Sequence, residues 1–155
     1  MKRILLAAAL LWPFLATADD IVIHSTEGDF AEVREFVEME ITGRGMVINN
    51  VAYIGNMLSR TAADVGADAA PIYRDAEALE FCSATVSRKM MEADPHNIAY
   101  CPYVIAIYEL HGEPGTVYVS YRRPKVAAQA SEATRAAMAE VEALLEGIVG
   151  DAVNF

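Results

Sequence analysis

The residues best able to do chemistry are the chain's two cysteines, Cys82 and Cys101, which stand 19 positions apart. In an oxidising compartment such a pair forms a disulfide, and closing a loop of that size gains about 3 kcal/mol by restricting the unfolded chain. The bond requires the two α-carbons to come within roughly 7 Å. A simple parallel crossover between the flanking strands would put the cysteines at opposite edges, whereas segment 94–100 is long enough to bring the chain back beside Cys82. Left as thiols they support a different chemistry. Cys82 precedes a helix N-terminus, where the backbone dipole favours the thiolate, so a thiol redox or sulfur-handling site is the alternative function. No Cys-x-x-Cys and no histidine next to either cysteine accompanies it. Thiolates and thioethers also select Cu(I), and Cys82, Met90, Met91, His96 and Cys101 make a candidate copper set. Adjacent helix positions diverge by about 100°, so only one of Met90 and Met91 can face such a site. The principal reading requires no cofactor.

A second group suits binding better than catalysis. Tyr103, Tyr118 and Tyr121 fall on two strands, and a ring with a polar tip lines a pocket well; His96, in a nearby loop, completes the candidate pocket. Arg122, Arg123 and Lys125 are the basic cluster of an acidic chain, and with Arg88 on a preceding helix they are candidate contacts for a small anion. Basic residues at a strand end also blunt edge pairing and balance an acidic surface. His24, after an apolar strand, suits a hydrogen bond to a loop, and His111 suits a solvated turn. No Ser-His-Asp spacing, glycine-rich phosphate loop or His-Glu-x-x-His helix occurs, so hydrolase and nucleotide readings lack support and an enzyme is the weaker expectation.

These residues must be positioned by elements whose patterns are mostly clear. Ile21 to Ile23 suits a short first strand, ended by His24-Ser25-Thr26 and Gly28. Asp29 caps a helix in which Phe30, Val33, Val37 and Ile41 recur at helical spacing until Gly43 and Gly45 stop it. A strand over Met46 to Val51 leads to a helix over Tyr53 to Val65, with Gly66 as its C-cap and a loose connection through Pro71. Ala76 to Phe81 reads as a buried strand, and Cys82-Ser83 turns it into a helix ending near Asp94-Pro95. Tyr103 to Leu110 and Thr116 to Tyr121 are strands joined by Gly112, Pro114 and Gly115, an antiparallel hairpin. Residues 130–152 form a long amphipathic helix. The order β-α-β-α-β-α-β-β-α favours an α+β fold: a single two-layer sandwich, about five strands in one sheet with helices packed against it.

At the scale of the whole chain, 22 acidic residues against 12 basic ones leave a net charge of −10 in 155 residues, which argues against a nucleic-acid partner. Residues 1–18 read as a secretory signal peptide: Lys2 and Arg3, an apolar run from Ile4 to Leu15, then Ala16-Thr17-Ala18 as the cleavage site. Cleavage after Ala18 directs residues 19–155 to the periplasm as one domain. The run is short and broken by Pro13, and no apolar stretch beyond it is long enough for a membrane span.

The segment from 76 to 121 also carries a resemblance. A strand ending in Phe81-Cys82-Ser83, a helix with Met90-Met91-x-Ala-Asp-Pro, Cys101-Pro102 opening the strand Val104-Ile105-Ala106-Ile107-Tyr108-Glu109, and a hairpin to Val117-Tyr118-Val119-Ser120-Tyr121 resemble the domain-of-unknown-function family 302. The likeness covers roughly residues 21–124. It implies a small α+β domain, often exported, sometimes linked to respiratory or sulfur and redox functions, with no agreed activity. This chain departs from the pattern twice: Ser83-Ala84 stands where Asn-Pro is frequent, and Cys101 precedes Pro102 rather than following it. The expectation is therefore an exported, non-enzymatic module that binds a small molecule or a periplasmic protein partner. Its long last helix could also pair with a second copy as a homodimer.

Overall fold

Asp29 starts the first helix as its position requires. Its carboxylate accepts hydrogen bonds from the backbone N–H groups of Ala31 and Glu32, and the helix α1 (Phe30–Gly43) buries Val33, Val37 and Ile41 along one stripe. It follows the strand β1 (Ile21–Glu27) and precedes β2 (Val47–Ala52). The strand β1 runs four residues beyond Ile23, because β5 pairs with it along its whole length. The structure, a computed structural model, describes residues 20–66 and 71–154, so the expected signal peptide lies outside the described residues.

The helix expected over Tyr53 to Val65 is two pieces: α2 (Ile54–Thr61) and a 3-10 turn over Ala63–Val65. Gly66 closes it at φ +67°, a left-handed conformation that costs glycine little. The strand β3 (Tyr73–Cys82) begins earlier than Ala76, and α3 (Ala84–Ala93) is capped by Ser83, which accepts from the Val86 N–H. A 3-10 segment, Pro95–Tyr100, returns the chain to β4 (Tyr103–Leu110), held to the end of α3 by the Asn97 amide donating to the Met90 carbonyl at 2.9 Å. The hairpin to β5 (Thr116–Arg122) and the long α4 (Glu132–Val153), capped by Ser131, complete the order.

The five strands form one sheet in the order β1-β5-β4-β3-β2, every neighbour antiparallel. The fold is an α+β sandwich. Side chains alternate across a strand, so one face carries Leu79, Phe81, Tyr103, Ile105, Ile107, Val117, Val119 and Tyr121 into a core shared with Val37 and Ile41 of α1, Met90 of α3 and Val141, Leu145 and Ile148 of α4. The other face is covered only in part. Helix α2 lies on β3, so close at Gly55 that an added Cβ would stand 3.0 Å from the Ala76 nitrogen. Ile21, Ile23 and Val104 remain exposed, and Tyr108 stacks on Tyr118 at 5.2 Å between ring centres.

Candidate functional site

The antiparallel pairing of β3 with β4 decides where the cysteines go. Phe81 lies opposite Tyr103, so the end of β3 and the start of β4 share one end of the sheet. The crossover that would separate Cys82 from Cys101 does not occur, because the 3-10 segment carries the chain back. Both residues are free, partly buried thiols, brought to the same end of the sheet. The Cys101 sulfur also lies 3.2 Å from the Ser87 hydroxyl, which in turn lies 3.1 Å from the Tyr103 hydroxyl. Ser87 and Tyr103 are nearly inaccessible. Burial pushes the Cys82 thiol up, Cys101 adds to the rise, and the Tyr103 backbone N–H, donating to Cys82, opposes it. Burial likewise pushes the Tyr103 phenol up to about 12. The position before a helix predicts a thiolate at Cys82; burial reverses that balance. Ser87 is the partner that sequence reasoning missed, and its place one helical turn after Ser83 was the available signal.

The remaining soft ligands are dispersed. Met90 is fully buried in the core, Met91 sits at its boundary, and His96 is exposed on the 3-10 segment, where its backbone N–H binds Asp94. Among the described residues no three His, Cys, Asp or Glu side chains converge as a metal site would require.

The tyrosines divide by face. Tyr103 and Tyr121 point into the helix-covered side, whereas Tyr118 lies on the open face and donates to Glu113. The three do not form one pocket with His96. Tyr121 donates to Glu146 of α4 at 3.0 Å, and His24 of β1 meets the same carboxylate at 3.1 Å. That chain ties an edge strand to the last helix, and His24 is therefore part of a strand rather than of a loop.

The basic residues also separate. Arg88 is exposed on α3 and pairs with Glu92, Arg123 pairs with Glu142 at 2.6 Å, and Lys125 pairs with Asp20 at 2.6 Å. Arg122 has no ion pair among the described residues. It borders a groove of about 440 Å3 with Ile21, Tyr100, Pro102, Val104 and Ser120, and a second groove of about 510 Å3 continues past Ile21 and Arg122 toward Lys125. An apolar floor with one unneutralised cation at its rim is suited to a small amphipathic anion.

Sheet, helix layer and groove define a small α+β sandwich domain with one face partly open. The family described as domain of unknown function DUF302 matches residues 21–152, and the chain belongs to that family. The match extends the resemblance through the last helix. A crystal structure of an uncharacterized conserved DUF302 protein from Bacillus stearothermophilus shares the fold, with a TM-score of 0.71 at 16% identity over 87% of this chain and 99% of that one. No protein of curated function matches.

Proposed function

We propose that this protein is an exported, non-enzymatic module that binds a small amphipathic anion in the groove beside Arg122. The observation that carries the reading is that Arg122, alone in its basic cluster, has no carboxylate partner among the described residues and borders an apolar groove. The guanidinium would fix the anionic head, Ser120 would offer a hydroxyl, and Ile21, Pro102 and Val104 would cover an aliphatic tail. The signal-like sequence of residues 1–18 supports the export part of this reading.

Octanoate is a suitable probe, with octylammonium as the control of opposite charge. Calorimetric titration should show octanoate binding that weakens about tenfold or more in Arg122→Ala, the loss expected for one hydrogen-bonded charge, while octylammonium fails to bind. Equal affinity for both probes, or an Arg122→Ala variant that binds octanoate unchanged, would overturn the reading.

A further inference from the structure

We propose that Cys82 and Cys101 form a dithiol that exchanges with disulfides, closing into an internal disulfide as it reduces a disulfide-bearing small molecule or protein. Phe81 lies opposite Tyr103, so Cys82 at the end of β3 and Cys101, two residues ahead of β4, come to the same end of the sheet, and closing the bond requires their α-carbons to lie within roughly 7 Å. The pair is asymmetric. Cys101 packs against the core and touches the Ser87 hydroxyl at 3.2 Å, whereas Cys82 lies outside the core cluster and receives the Tyr103 backbone N–H. Cys82 is accordingly the thiol that an incoming disulfide meets, and Cys101 the one that resolves the intermediate.

The chemistry balances without a metal or a cofactor. Cys82 loses its proton to solvent and its sulfur attacks one sulfur of R–S–S–R, forming a mixed disulfide and expelling one thiolate, which takes up a proton. Cys101 then loses its proton, attacks the Cys82 sulfur and expels the second thiolate, which is protonated in turn. One protein dithiol and one external disulfide become one protein disulfide and two external thiols, with two electrons passing to the partner. Because burial raises the Cys82 pKa, the first step is slow at neutral pH and accelerates as pH rises. This inference is independent of the Arg122 groove.

Oxidised glutathione is the probe, and intact mass with alkylation of remaining thiols is the readout. The wild-type chain should lose the mass of two hydrogens, carry no glutathione, resist alkylation and regain both thiols with dithiothreitol. Cys101→Ser should stop at one glutathione on Cys82. Cys82→Ser should accept glutathione at least tenfold more slowly. Circular dichroism checks that both serine variants fold, and the wild-type mass needs no variant at all. Two glutathiones on the wild-type chain, dimers joined through cysteine, or no reaction of the folded chain would each overturn the proposal, as would trapping on Cys101 faster than on Cys82.

Discussion

Chemistry at the residue scale depends on which neighbours a side chain finds, and here burial dominates. Tyr103 is neutral in the core, its hydroxyl within hydrogen-bond distance of Ser87, and its pKa stands at about 12 against an ordinary value near 10. An unfolded chain would release that proton near pH 10, so above this pH the folded state binds more protons than the unfolded one. Stability from this group is therefore complete below about pH 10 and falls as pH rises toward about 12. Urea unfolding followed by circular dichroism should show this alkaline loss in the wild type and a shallower one in Tyr103→Phe. Equal slopes for the two proteins would show that Tyr103 does not govern it. The same neighbours explain what sequence could not supply: Arg122 and Arg123 are adjacent in sequence, yet only the fold reveals that Glu142 neutralises one and not the other.

Elements were legible where local rules act alone. The Asp29 cap, the Val33, Val37 and Ile41 stripe and the hairpin turn follow from spacing and turn chemistry, and each stands within a residue or two of its expected place. Ends set by a distant partner were not legible: β1 extends to Glu27 because β5 pairs with it, and β3 reaches back to Tyr73 because Leu110 lies opposite. Glycines show the same division. Gly150 lies inside α4 with open space where a Cβ would go, so Gly150→Ala should stabilise by about 0.5–1 kcal/mol through helix propensity. Gly55 is also helical, but its Cβ would press at 3.0 Å on the Ala76 backbone, which the sheet holds fixed. Gly55→Ala should therefore lower the urea midpoint while Gly150→Ala raises it. Matching shifts of the same sign would mean that α2 yields without cost.

At the scale of the whole molecule, the strand order is what made the sites hard to foresee. Period-2 patterning established that two faces exist, and the alternation of Val117, Val119 and Tyr121 against Tyr118 and Ser120 was readable; which face the helices cover depends on packing among α1, α3 and α4. The antiparallel return from β3 to β4 is equally non-local, and it alone brings Cys82 to Cys101 and sets Pro102 at the groove. Adjacent residues of β4 test that architecture directly. Ile105 is wholly buried in the core, and Val104 is 41% exposed on the open face beside the groove. Truncating Ile105 to alanine should cost about 2–5 kcal/mol, a large share of the roughly 5–15 kcal/mol that holds a domain folded. Val104→Ala should cost only about 1 kcal/mol, since the side chain keeps 41% of its surface in water and lies outside the core, yet it should weaken octanoate binding by removing part of the apolar floor. The only tryptophan is Trp12, within the expected signal peptide, so circular dichroism is the suitable unfolding probe. Comparable losses at the two positions would mean that a partner or a second layer covers the open face; a large loss at Val104 alone would place the core on the wrong side of the sheet.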